Sequence, residues 1–164
     1  LENQPFACAT VGEMRIHPNS RNVIPGQVFL TVDFRHPDDE ILAKMDRELR
    51  AAAEEIAGGI GLEMDFEQIW YYAPIKFEDS CVSAVRDAVA LNGYSNRDMV
   101  SGAGHDACYL SKVTPTGMIF IPCVDGISHN EVEDAKPEWV TAGAQVLLHA
   151  MITKADETVM GGND

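Results

Sequence analysis

A chain of 164 residues, 46% hydrophobic and 23% charged, can bury the core of one ordinary domain or two small ones, which excludes a disordered tail. Against 26 Asp and Glu stand 12 Lys and Arg, and the resulting net charge of -14 repels phosphate backbones and anionic headgroups, arguing against nucleic-acid and membrane partners. No stretch approaches the roughly 20 apolar residues of a membrane span, the N-terminus lacks a signal peptide's basic flank and apolar run, and Cys8, Cys81, Cys108 and Cys123 form no C-x-x-C pair. The cysteines read as buried free thiols in a reducing compartment, so the expected setting is soluble and cytoplasmic. A start at Leu1 rather than Met reads as a piece of a longer chain.

The first predicted element is a short strand from Phe6 to Ile16, ending at the Pro- and Asn-rich turn H-P-N-S-R-N-V-I-P-G. Gln27 to Arg35 has a period of two: Val28, Leu30, Val32 and Phe34 form the core face, opposite Phe29, Thr31, Asp33 and Arg35. Asp38 suits a helix N-cap, and Ile41, Met45, Leu49, Ala52, Ala53 and Ile56 recur at helical spacing until Gly58-Gly59, the expected stop. Leu62, Met64 and Phe66 alternate with Glu63, Asp65 and Glu67, predicting a third strand to about Tyr72. Strand, strand, helix, strand makes an α+β module with an antiparallel sheet.

The pattern changes near Ala73-Pro74, which places a domain boundary between 1–74 and 75–164. Asp79 or Ser80 caps a second predicted helix with Val82, Val85, Ala88 and Val89 inward and Gly93 as its stop. A glycine loop at 101–104 leads into a short helix or turn from about Asp106 to Ser111. Met118 to Val124 is a continuous apolar run, as in a strand buried on both faces of a parallel sheet, so the second part reads as α/β. After the polar loop 125–136, Pro137 suits the first position of a last helix carrying Val140, Gly143, Val146, Leu147, Ala150 and Met151 inward, frayed after about Ala155.

Open α/β sheets bind ligands beyond the carboxyl ends of their strands, which makes D-G-I-S-H-N-E a candidate site by position. Neutral imidazole at His129 suits zinc, with Asn130 or Glu131 to orient the ring or activate a water; the alternative is a solvated loop histidine. Ser101, His105 and Asp106 invite a triad reading, but three residues crowded into S-G-A-G-H-D rarely converge on one substrate atom. G-A-G is also too short for a phosphate loop. The glycine turn, Gly104 included, either lets backbone approach a ligand with His105 projecting into the same pocket as His129, or merely serves close packing. Asn22 and Arg35 suit a carboxylate clamp, unless Arg35 simply pairs with Asp33 on its own face. His17, His36 and His149 have no such context and read as structural or solvated.

P-N-S-R-N-V-I-P-G, L-T-V-D-F-R-H-P-D, S-G-A-G-H-D-A and G-I-S-H-N-E, in this order and spacing, closely resemble the N-carbamoyl-L-amino-acid amidohydrolases. That group includes beta-ureidopropionase and allantoate amidohydrolase, among the dimeric two-zinc amidases and aminopeptidases. The resemblance implies a zinc-binding α/β catalytic domain interrupted by an α+β lid that also dimerises. Residues 1–74 would be the second half of that two-layer lid, and 75–164 the C-terminal part of the catalytic domain. It implies His129 as a zinc ligand, Asn22, Arg35 and Gly104 as substrate-binding residues with the first two on a carboxylate, and His105 lining the active site as a catalytic residue.

The implied activity is hydrolysis of a carbamoyl, ureido or related linear amide C–N bond in a small carboxylate substrate. The implied cofactor is zinc, two ions per complete site, with manganese, cobalt or nickel as alternatives, and the implied assembly is a homodimer through the lid. The family's other metal ligands fall outside these residues, so the isolated chain is expected to be inactive. The competing expectation is a catalytically silent dimerisation or association module, or one half of a split amidohydrolase.

Overall fold

The structure, a computed structural model, describes residues 5–160, with side chains as far as Asp156. By its contacts the chain divides into two units, Leu1–Pro74 and Ile75–Asp164. Among the described residues the architecture is mixed α/β, a two-stranded sheet and four α-helices.

In the first unit, β1 (Cys8–His17) and β2 (Gln27–Arg35) form an antiparallel hairpin, in register from Cys8 opposite Arg35 to His17 opposite Gln27, with an irregularity between Val11 and Glu13. The Gly26 N–H closes the connection onto the His17 carbonyl at 2.9 Å. Helix α1 (Asp39–Ile60) starts where the sequence places it, because the Asp38 carboxylate accepts the Ile41 N–H at 3.1 Å. It packs on β2, and Met45 is its buried residue, with Ile41, Leu49 and Ala53 half-buried; Ala52 and Ile56 of the expected stripe are exposed. Along β2, Val32 and Phe34 are half-buried, whereas Val28 and Leu30 of the expected core face are exposed.

The helix does not stop at Gly58-Gly59. It continues to Ile60, and Gly61, at φ 71°, ends it while the Leu62 N–H reaches back to the Ala57 carbonyl at 2.9 Å. Interior glycines cost a helix only about 1 kcal/mol each, whereas a left-handed residue followed by that back-bond terminates it. The third strand is also absent: 62–72 joins no ladder among the described residues. The segment instead runs back along α1, with the Arg50 guanidinium 4.1 Å from the centre of the Phe66 ring and the Tyr71 hydroxyl donating to Asp39. Alternation marks a chain that suits a strand, but a strand exists only where another backbone pairs with it.

In the second unit, α2 (Asp79–Leu91) packs against α4 (Pro137–Met160) through Ala84, Ala88, Val89, Val146 and Ala150, with Val85 and Ile119 against that cluster. Glu78 occupies the cap of α2 without a side-chain bond, so Asp79 lies inside the first turn, and Gly93, at φ 69°, follows the helix end. Pro137 opens α4, whose helical backbone runs past Ala155 to Met160. Val140, Leu147 and Met151, expected to point inward, are exposed. Helix α3 (Asp106–Leu110) is a single short turn.

Met118 to Val124 forms no strand among the described residues; Met118, Ile119 and Ile121 are half-buried along an apolar groove of about 660 Å³ shared with Val85, Leu147 and Met151. The apolar run has the composition of a sheet centre, yet it joins no ladder among the described residues. All four cysteines are free, but none is buried: Cys8 is exposed, and Cys81, Cys108 and Cys123 are half-buried. Among the described residues no helix is long and apolar enough to cross a membrane.

Candidate functional site

Two loops of the second unit hold the histidines singled out by the sequence. In the first, the Ser101 hydroxyl lies 2.7 Å from His105 Nε2 and accepts the Ala103 N–H at 3.2 Å, so the glycine loop folds around that oxygen. The His105 ring meets Phe120 edge-on, with ring centres 5.5 Å apart. Ser101 and His105 are half-buried, while Asp106 is exposed, and among the described residues the ring bonds to Ser101 rather than to Asp106. The serine and histidine of the triad pattern therefore meet; the aspartate does not join them. A Cβ placed on Gly104 would meet nothing within 4 Å, so close packing is not what leaves this position bare.

The second loop begins with a 3-10 turn at Val124–Gly126 and is closed by the Val124 N–H on the Asp134 carbonyl at 2.7 Å. Asp125 and His129 both adopt positive φ, 55° and 56°, a conformation costly for side-chain-bearing residues unless their surroundings hold it. At His129 the hold is the Glu133 carboxylate, which accepts the His129 backbone N–H at 2.5 Å and is 3.9 Å from Cys123 Sγ. Asn130 turns its side-chain oxygen to the Val132 N–H at 3.1 Å. The sequence pointed to Asn130 or Glu131 as partners of His129; the loop uses Glu133, four residues on, and acts on the backbone. Nothing in the spacing H-x-x-x-E outside a helix announces that contact. The contact of Phe120 with His105 has a different cause: the two are fifteen residues apart, and no local pattern links them.

The described residues contain no cluster of three or more His, Cys, Asp and Glu able to hold a metal. A catalytic zinc takes about three protein ligands. His129 is thus a single exposed donor, and this set does not by itself fit a metal centre.

In the first unit, Arg35 Nε donates to Asp33 Oδ1 at 2.7 Å, and that bond, followed by the charge of Asp33, holds the guanidinium pKa above its usual range. Asn22 Oδ1 accepts the Ser20 hydroxyl at 2.7 Å. The clamp residues do not converge within one chain. Arg35 pairs with Cys8 at one end of the hairpin, whereas Asn22 lies in the connection beyond the His17–Gln27 pair at the other, so roughly 25 Å of strand separates them. Of the remaining histidines, His36 Nδ1 accepts the Asp38 N–H at 3.0 Å, His149 Nδ1 lies 2.8 Å from Asn92 Nδ2, and His17 is exposed.

The family model described as Peptidase family M20/M25/M40 matches residues 6–153. The chain is 47% identical over 156 residues to an N-carbamoyl-L-amino-acid amidohydrolase of Rhizobium meliloti, covering 95% of this chain and 38% of that protein. It is 30% identical over 138 residues to an allantoate amidohydrolase of Bacillus subtilis, covering 84% of this chain and 34% of that one. Its fold matches the crystal structure of an amidase of the hydantoinase/carbamoylase family from Burkholderia multivorans with a TM-score of 0.89 at 66% identity, over 94% of this chain and 38% of that chain. The chain therefore spans little more than a third of the length of the relatives it matches.

Proposed function

Because the chain belongs to the peptidase family M20/M25/M40, we propose that it is part of an amidohydrolase cleaving the carbamoyl or ureido C–N bond of small carboxylate substrates such as N-carbamoyl amino acids. The observation that carries this reading is the 47% identity to an N-carbamoyl-L-amino-acid amidohydrolase, sustained over 95% of the chain. Residues 75–164 are the C-terminal part of the catalytic domain, and 1–74 belong to the lid and dimerisation domain. His105 lines the reaction centre, and open space at Gly104 leaves its backbone accessible to a substrate group. His129 contributes one donor to a metal, zinc or else manganese, cobalt or nickel, whose other ligands come from residues beyond this sequence. A cytoplasmic setting accords with four free thiols.

Arg35 and Asn22 bind the substrate carboxylate. Arg35 is held by Asp33 in a pair whose side chains are about half exposed, 52% and 48%, and such pairs contribute only ~0–1 kcal/mol, so a carboxylate with good bidentate geometry can displace it. The hairpin keeps Asn22 of the same chain roughly 25 Å away. One carboxylate is therefore reached by both residues only if Asn22 comes from a second copy, which makes a homodimer part of the proposal.

Arg35→Ala in the full-length enzyme is expected to raise KM for an N-carbamoyl amino acid by about 10- to 100-fold, the loss of one charged hydrogen-bonded pair, with little effect on the corresponding carboxamide. Unchanged kinetics on the carboxylate substrate contradict the assignment. A second reading is a catalytically silent association module or one half of a split enzyme; that the described residues bring no three metal donors together is compatible with both readings.

A further inference from the structure

Among the described residues Ser101 Oγ has two hydrogen-bonding neighbours, the Ala103 N–H at 3.2 Å and His105 Nε2 at 2.7 Å. An amide N–H can only donate, so toward Ala103 the oxygen accepts. The hydroxyl carries one proton of its own, and the arrangement that gives this proton an acceptor within the loop directs it at Nε2. A neutral imidazole accepting at Nε2 carries its hydrogen on Nδ1. Phe120 lies edge-on against the ring, at 5.5 Å between ring centres, and packs on the imidazole in this orientation.

Resting on the reading that His105 lines the reaction centre, we propose that Ser101 is a positioning residue that fixes His105 in its Nδ1–H tautomer. His105 then offers the substrate a hydrogen-bond donor at Nδ1 rather than a basic nitrogen. Ser101 is not a nucleophile: its proton is committed to the ring and its oxygen to the Ala103 N–H. The pair that resembles two-thirds of a triad thus works in the opposite sense, with serine setting the state of histidine.

The test is nitrogen-15 NMR of the histidine-labelled 164-residue chain, at a pH above the imidazole titration range. Nδ1 of His105 is expected to resonate as protonated and Nε2 as unprotonated. Ser101→Ala should move both toward the tautomer mixture of free imidazole, and Ser101→Thr, which keeps the hydroxyl, should restore the native pattern. His149, held by Asn92, provides an internal check that each variant is folded. A protonated Nε2 in the natural chain overturns the proposal without any variant, and so does a Ser101→Ala spectrum with His105 unchanged. In the full-length enzyme, Ser101→Ala is expected to lower kcat about tenfold or more with KM little changed, since a wrong tautomer damages chemistry more than binding. A His105→Ala enzyme with undiminished turnover overturns the placing of His105 at the reaction centre, and the NMR result separates that failure from a failure of Ser101 to set the tautomer.

Discussion

At Gly143, on α4, a Cβ would lie 2.5 Å from Ile121 Cγ2. Gly→Ala in a helix normally gains up to about 1 kcal/mol, but overpacking a filled contact costs ~1–3 kcal/mol, and the β-branched Ile121 has little rotamer freedom to retreat. Gly143→Ala is therefore expected to lower unfolding free energy by about 1–2 kcal/mol in denaturant titration, and a stabilised variant contradicts the packing described. The sequence showed Gly143 on the inward stripe without showing what it faced. Other single residues were legible to the same extent. The closeness of Ser101 and His105 in S-G-A-G-H put them in one loop, and the alternative that Arg35 pairs with Asp33 followed from their shared strand face; the structure makes both contacts. Glu133 beneath His129 was not legible, because that contact depends on a left-handed turn that the residue type of His129 does not announce.

Elements with local causes were read well, and elements with distant causes were not. Helix α1 begins where Asp38 offers its carboxylate to Ile41, and Asp38→Ala is expected to cost ~1 kcal/mol in the same denaturant titration, with Asp38→Asn or Asp38→Ser close to the natural chain. The hairpin strand Gln27–Arg35 likewise appears at its expected bounds, since alternation and the flanking Pro-Gly define it. The segments 62–72 and 118–124 have the composition of strands, but pairing is a property of two backbones, and the chain contains no pattern from which the missing partner could be read. What holds 62–72 along α1 includes the bond from Tyr71 to Asp39, which, more than desolvation, raises the phenol pKa above its ordinary range. A folded-state value raised above the unfolded one means that this contact is intact below pH ~10 and is lost as pH climbs through the raised value. Tyrosinate absorbance should show one tyrosine titrating late in the natural chain and returning to the ordinary range in Asp39→Ala; identical titrations contradict the contact.

For the molecule as a whole, the motifs carried the family, and the family model accounts for residues 6–153. The motifs did not carry geometry. Asn22 and Arg35 lie near each other in sequence and at opposite ends of a hairpin, because a strand turns proximity in sequence into length in space. His129 stands in an exposed loop where Glu133 accepts its backbone N–H, without companions that complete a metal site among the described residues. On the reading proposed above, this chain contributes binding and positioning groups to an amidohydrolase whose site is completed by residues beyond it. The most direct test is the rate of ammonia release from an N-carbamoyl-L-amino acid by the full-length gene product loaded with zinc or manganese, natural sequence against His129→Ala. Turnover by the natural enzyme that falls to background in the variant is the predicted result. No turnover of any N-carbamoyl or ureido acid, or turnover indifferent to the loss of His129, contradicts it.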